Sequence, residues 1–308
     1  MPVVEAQNAS SGFLCVVKGE RVTTRWGQTR PTTLINHGCC GVVVDTALEK
    51  WGVSGMPLQR WRELADRLAA RIESGEFPVG GKMPTTVELL AAGESKPSVE
   101  RAYRELVELG LVVRKPRVGT VVRSRVPVRV PLSRYGAVMR PGGDRGPWET
   151  AAAAVGLGGR VMPLTVERVP VPGDVAVVLG LEPGQFVVRR RRHALIDGDV
   201  VQLLEAFYPA DVADAAGLGE PGKVVGGVLA ALTVGGLDPA SADEKVTARL
   251  PTREEAAELC IGERVPVLRI ERVVRDREGR VLEVLRVVGA ADRLELHYDN
   301  LTLAGGLP

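Results

Sequence analysis

The chain has 308 residues, of which 45% are hydrophobic and 25% charged, with a formal net charge of +2. That length accommodates two ordinary domains, and that balance excludes a disordered or collagen-like chain. Apolar runs such as Val175 to Leu179 fall far short of the roughly 18 to 20 residues a bilayer span needs, and the start lacks a basic segment, an apolar run and a small-residue cleavage site, so the expectation is a cytoplasmic protein with no membrane partner.

Residues 1–55 sustain neither a period of 2 nor one of 3.6 and read as a poorly ordered N-terminal extension. Met56 stands directly before the first patterned element and offers itself as an alternative start of translation. Cys15, Cys39, Cys40 and Cys260 form no C-x-x-C pair, which favours a reducing compartment over a disulfide framework. His37, Cys39 and Cys40 lie close together but lack further ligands at workable spacing, so no metal is expected.

From Leu58 to Glu73 the residues Trp61, Leu64, Leu68 and Ile72 recur at helical spacing, and Gly75 follows as a stop. A turn-rich stretch leads to Thr85 or Thr86 as the cap of a short helix through Val87, Leu89 and Leu90. Ser95 opens a third helix with Pro97 at an early position, where its missing N–H costs nothing, and Val99, Ala102, Leu106 and Leu109 form its apolar stripe. Leu111 to Val113 and Thr120 to Val122 read as two strands around a cationic tip of Arg114, Lys115 and Arg117, closed by Gly119. Three helices and a basic hairpin make a winged helix-turn-helix over residues 56–125.

The run from Pro57 to Val122 resembles the DNA-binding domain of GntR-type transcription regulators. The resemblance rests on the Ile72, Gly75 and Pro78 spacing, Met83-Pro84-Thr85, Ser95-Lys96-Pro97-Ser98-Val99, Leu109-Gly110-Leu111 and Gly119-Thr120. It implies double-stranded DNA as a partner, met by Thr85, Thr86, Ser95, Lys96, Pro97, Ser98, Arg101, Arg114, Lys115, Arg117, Gly119 and Thr120. Val87 and Lys96 stand where the family often has arginine; Lys96 keeps the charge without the bidentate fork, and Val87 makes no hydrogen bond. Arg104, with Glu100 and Glu108 at helical spacing, reads instead as a surface ion-pair member.

Charge is unevenly shared: residues 57–125 carry 13 Lys and Arg against 9 Asp and Glu, while residues 160–308 carry 18 against 23. A basic head on an acidic body suits a nucleic-acid reader with a sensing domain. Residues 126–145, rich in Pro and Gly, read as a linker with room for a short strand. In residues 146–308 a helix is expected at Trp148 to Val155. Strands follow at Val161 to Val169, Phe186 to Leu195, Asp199 to Tyr208, Lys245 to Leu250, Pro266 to Asp276, Val281 to Gly289 and Leu294 to Tyr298. Helices fit at Asp174 to Gly180, Val224 to Thr233 and Arg253 to Ile261, giving an antiparallel α+β domain.

This order is similar to the UTRA effector domain of HutC-like regulators, a chorismate lyase-like fold. The carriers are the turn at Leu179 to Gly184 before an arginine-rich strand, Asp197-Gly198, Tyr208-Pro209, Gly226-Gly227, Arg249-Leu250-Pro251-Thr252 and Asp292-Arg293. The likeness implies a small-molecule effector at Arg190, Arg192, Glu205, Tyr208, Glu244, Arg272 and Glu283. Strand alternation pairs Arg190 with Arg192 on one face and Arg189 with Arg191 on the other, and a solvated cationic strand remains the alternative. The whole reads as a homodimeric, ligand-responsive repressor on a palindromic operator, with no cofactor and no enzymatic activity. A chorismate lyase-like enzyme or a winged protein-contact module is the alternative, but the chain has no Gly-rich phosphate loop and no nucleophile elbow.

Overall fold

A computed structural model describes residues 57–131 and 145–298. The N-terminal extension, Met56, the His37, Cys39 and Cys40 group and much of the expected linker lie outside the described residues.

Helix α1 (Pro57–Glu73) buries Leu64, Ala65, Leu68 and Ile72 against α3 (Lys96–Glu108), which contributes Val99, Ala102, Tyr103 and Leu106. Trp61 is only half-buried, with the Arg62 guanidinium over its ring. Leu109, expected in the α3 stripe, is 43% exposed because it is the C-cap residue and the chain leaves the helix there; Tyr103 takes its place in the core. Helix α2 (Thr86–Ala91) is capped by Thr85, whose hydroxyl accepts from the Glu88 backbone N–H while the Glu88 carboxylate accepts from the Thr85 N–H. The Tyr103 hydroxyl donates to the Pro84 carbonyl and ties α3 to the entry of α2; burial, with the Glu88 charge, pushes that phenol up to about 12.

The wing is β1 (Val112–Lys115) against β2 (Gly119–Val122), antiparallel, so Arg114 and Lys115 sit on the strand rather than at the tip. Arg117 turns the tip at φ 62°, a left-handed conformation that few non-glycine residues adopt.

Strand β3 (Val128–Pro131) lies within the expected linker and pairs in parallel with β10 (Leu294–His297), Val128 opposite Leu294. Between them stand α4 (Pro147–Ala154), β4 (Gly159–Pro170), α5 (Gly173–Leu179), β5 (Phe186–Ile196), β6 (Asp199–Pro209), α6 (Ala210–Ala215), α7 (Val228–Val234), β7 (Pro239–Arg249), α8 (Arg253–Leu259), β8 (Val267–Asp276) and β9 (Val281–Ala290). One six-stranded antiparallel sheet orders them β4-β5-β6-β9-β8-β7. Strand β7 starts at Pro239, earlier than expected: it is an outer strand exposed along most of its length, so burial writes no hydrophobic alternation into its sequence. Helix α7 starts later than expected because Gly226 and Gly227, at φ 73° and 90°, hold a non-helical turn before it. Helix α6 was not expected, since its six residues span less than two turns and show no readable period.

One large core cluster joins the inner sheet face, including Ala194, Ala206, Tyr208, Ile270 and Leu285, to Trp148 of α4, Leu229 and Leu232 of α7, and Val128 and Leu294 of the small parallel pair. The domain's core therefore includes the strand that leaves the winged head.

Candidate DNA-binding and effector sites

On the head, Ser95 caps α3 by accepting from the Ser98 N–H at 3.3 Å, and its hydroxyl donates to Ser98 Oγ at 2.9 Å. Ser98 is 8% exposed, so its side chain works inside this cap, while Thr85, Thr86, Ser95, Lys96, Pro97 and Arg101 line an exposed edge across the α2 and α3 starts. Arg101 carries no ion pair among the described residues. Neither does Arg104, against expectation: Glu100 lies 4.0 Å from Lys96, and Glu108 accepts the Glu263 backbone N–H at 3.0 Å. On the wing Arg114 and Arg117 are exposed, Gly119 (φ 106°) and Thr120 follow, and Lys115 is drawn aside to Asp199 at 3.0 Å. An exposed α3 start beside the unpaired wing cations Arg114 and Arg117 has the chemistry to enter a major groove and to meet the phosphates flanking it.

In the second domain a cavity of about 150 Å³ lies on the inner face of the sheet. Its wall takes Trp148 from α4, Val161 from β4, Leu204 from β6, Leu285 from β9, Val130 from β3 and Leu296 from β10, among others. Of the residues expected to meet an effector, Arg192, Glu244 and Arg272 line this cavity. Arg272 is braced from behind by Glu283, at 2.6 and 3.1 Å, and Glu283 also accepts from the Tyr208 hydroxyl at 2.7 Å. Burial, reinforced by the Glu283 charge, pushes the Tyr208 phenol far above its usual range, so it stays a hydrogen-bond donor. Tyr208 and Glu283 therefore position Arg272 and do not form the wall.

Arg190 shares the inner face with Arg192 but not the cavity. It is 1% exposed and its guanidinium donates to the carbonyls of Leu218, Glu220 and Gly222 at 2.6, 2.8 and 2.7 Å. With no carboxylate bonded to it, burial lowers its pKa, and three carbonyl dipoles take the anion's place. Its expected ligand contact thus becomes a positioning role, holding the loop whose Gly222 and Lys223 reach the wall. Glu205 is one residue out of phase with the inner set and faces the opposite side, 3.8 Å from Arg189. There Arg189, Arg191, Arg249, Arg269 and Arg286 each meet a carboxylate.

Gln202 was not expected. It is 7% exposed, lines the cavity, and its amide makes no hydrogen bond within the described protein. Its signal was present: Gln202 is in phase with the inward-facing Ala206 and Tyr208 of β6, the lone polar amide on that face.

Comparisons with known proteins agree with this architecture. Residues 61–122 match the model for bacterial regulatory proteins of the gntR family, and residues 160–295 match the UTRA domain. An HTH-type transcriptional regulator of Streptomyces coelicolor is 32% identical over 249 residues, spanning 78% of this chain and 92% of that one. The chain belongs to the GntR family of transcriptional regulators. A second HTH-type regulator, from Rhizobium meliloti, is 28% identical over 80% of this chain and 96% of its own. The crystal structure of PhnF from Mycobacterium smegmatis superposes with a TM-score of 0.50 at 25% identity, covering 80% of this chain and 99% of that one.

This GntR regulator is a DNA-binding protein whose head and UTRA domain touch at defined points. Arg123, on leaving the wing, forms a two-pronged pair with Asp292, and Arg293 donates to the Ser124 carbonyl at 3.1 Å. Arg264 reaches Glu105 of α3 at 2.7 Å. A Cβ on Gly262 would lie 2.3 Å from the Val107 carbonyl oxygen, so only glycine lets that turn approach the end of α3. No helix among the described residues is long and apolar enough to cross a membrane.

Proposed function

We propose that this regulator is a ligand-responsive repressor that binds a palindromic operator as a homodimer, with the cavity of the UTRA domain as its effector site. The observation that carries the reading is the wall of that cavity: Val130 of β3 belongs to it, and β3 continues from the wing through Arg123. A ligand that shifts the β3–β10 pair moves the chain entering the head, while the Gly262 turn and Arg264 hold the far end of α3. For release from DNA the ligand must bind the DNA-incompetent arrangement more tightly, since equal affinity for both arrangements shifts nothing. Two-fold pairing would set two heads on two half-sites about one helical turn apart. On the head, Arg101, Lys96 and the Ser95 edge meet the groove, and Arg114 and Arg117 meet phosphate.

The test is fluorescence anisotropy of the protein on DNA from upstream of its own gene, across a salt series, with sedimentation velocity for the stoichiometry. Selective binding by a dimer, weakened in an Arg114→Ala/Arg117→Ala variant, is the expected result. Binding no tighter than to random DNA, unchanged in the variant, refutes this operator; monomeric behaviour refutes the two-fold arrangement.

A further inference from the structure

The cavity's chemistry narrows what can fill it, an inference that rests on reading the cavity as the effector site. Between residues 160 and 298, the described cations without an ion pair or hydrogen bond are Arg160, Lys245 and Arg192; the first two are exposed, and Arg192 lies in the cavity wall. The Arg192 Nε is buried and has no acceptor. The cavity's other cations already face carboxylates: Lys223 meets Glu149 at 2.7 Å and Arg272 meets Glu283 at 2.6 Å. Register places Gln202 opposite Ala194, diagonal to Arg192, which itself lies opposite Leu204. Diagonal neighbours on one sheet face stand within reach of a single small group. A half-buried guanidinium whose Nε is wholly buried, beside the amide of a buried glutamine, is costly to leave without an acceptor.

Apart from Glu149 and Glu244, most of the remaining wall is apolar. Trp148 donates its indole N–H to the Leu195 carbonyl at 3.0 Å and so offers the cavity only its ring. Val161, Leu204, Ile270, Leu285 and Val287 complete that surface. The volume, about 150 Å³, equals that of an engineered apolar cavity that admits benzene. A sugar would set most of its hydroxyls against these apolar side chains. A phosphate dianion would meet one guanidinium without an ion pair, with Glu149 and Glu244 in the same wall and the Gly146 N–H already given to Glu149 at 3.0 Å.

We infer that the effector is a compact monocarboxylic acid with an aryl or branched-alkyl body: its carboxylate takes the Arg192 fork, Gln202 donates to a carboxylate oxygen, and the body packs on Trp148. A planar carboxylate satisfies a guanidinium with two parallel bonds and carries a single charge, which suits the one cation of a mostly apolar wall that has no ion pair among the described residues.

Calorimetric titration of the full chain with benzoate, 3-methylbutanoate, benzyl alcohol and glucose 6-phosphate tests this. The acids bind, and benzyl alcohol, with the ring but not the charge, binds about tenfold or more weakly. Glucose 6-phosphate gives no heat. Arg192→Met and Gln202→Leu each weaken benzoate, the former by about tenfold or more, and Arg192→Lys loses less than Arg192→Met. Should these variants fold poorly, the fluorescence change on adding benzoate to the intact protein, and its loss in Trp148→Phe, reads the same site. Glucose 6-phosphate binding more tightly than either acid, no binding of either acid at millimolar concentration, or benzoate affinity unchanged in both Arg192→Met and Gln202→Leu overturns the inference. Anisotropy on the same preparation separates the two readings. DNA released by glucose 6-phosphate and not by the acids sinks the ligand class and leaves the repressor, whereas acid binding without any DNA binding sinks the repressor and leaves the ligand class.

Discussion

The arginines of α3 and the wing contrast with those on the sheet of the UTRA domain. Arg101 and Arg104 of α3 and Arg114 and Arg117 of the wing are exposed and carry no ion pair among the described residues. In the UTRA domain Arg190 is sunk among carbonyls, and Arg189, Arg191, Arg249, Arg269, Arg272 and Arg286 are matched to carboxylates. A cation kept in water remains available to a polyanion that arrives later, because releasing counterions from DNA supplies the driving force. A cation taken out of water must be answered at once within the fold. Arg192, whose buried Nε has no acceptor among the described residues, departs from the second pattern, and the proposed ligand contact rests on that departure.

The comparison can be broken most severely at Arg190. Arg190→Met leaves three carbonyls, that of Leu218 buried, without their donor, and a loss of about 3 to 5 kcal/mol is expected in urea unfolding of the full chain; a loss within about 0.5 kcal/mol would mean the buried arginine is replaceable. Glu283→Gln comes next, since it removes the carboxylate that faces both Arg272 and Tyr208 and is 0% exposed. Unfolding should move by about 3 kcal/mol, and ligand affinity should fall with it because Arg272 loses its brace.

Gly262→Val tests the junction between the regions. The added side chain collides with the Val107 carbonyl and the Glu108 backbone, so DNA affinity or its response to ligand should change while ligand affinity does not. The head cations should give the reverse of Arg190. Arg114→Ala and Arg117→Ala should leave stability within about 0.5 kcal/mol and make DNA binding less sensitive to salt, the slope falling by about one unit for each phosphate that is no longer neutralised.

The smallest effect lies at Glu255, which caps α8 with Thr252 and takes Arg249 at 2.6 and 2.7 Å. The Arg249 hydrogen bonds hold this carboxyl below its ordinary value of 4.5. A depressed folded pKa contributes stability that is complete above the unfolded value and is lost as pH falls through the folded one. The difference between the native chain and Glu255→Gln, about 1 kcal/mol or less for a partly exposed pair, should therefore be present at neutral pH and vanish in acid. A difference that persists in acid would assign the effect to packing.

Much of the head was legible in the sequence because its signals are local. Ser95, Pro97, Gly75 and the α1 stripe depend on neighbours within a few residues. Leu109 was misplaced by continuing the helical period through a cap, and Arg104 by assuming that its helix neighbours were free, when Glu108 is engaged by the Gly262–Glu263 turn. The cavity was legible to the extent that β-strand alternation reaches: Arg190 and Arg192 share a face, as expected. Which of the two meets a ligand depends on where the Leu218 to Gly222 carbonyls lie, about thirty residues away in sequence.

By itself, the sequence determined a winged head, an antiparallel effector domain of the UTRA kind and the faces on which their side chains stand. Periodicity, caps and turns are properties of short windows, and the order of motifs survives without coordinates. Tertiary structure alone decided that β3 and β10 contribute to the cavity wall, that Tyr208 and Glu283 stand behind Arg272, and that Arg192 and Gln202 have no side-chain partner among the described residues. Each of those outcomes depends on which distant donor or acceptor the fold brings within reach of a buried group, and burial is what makes an unanswered one matter.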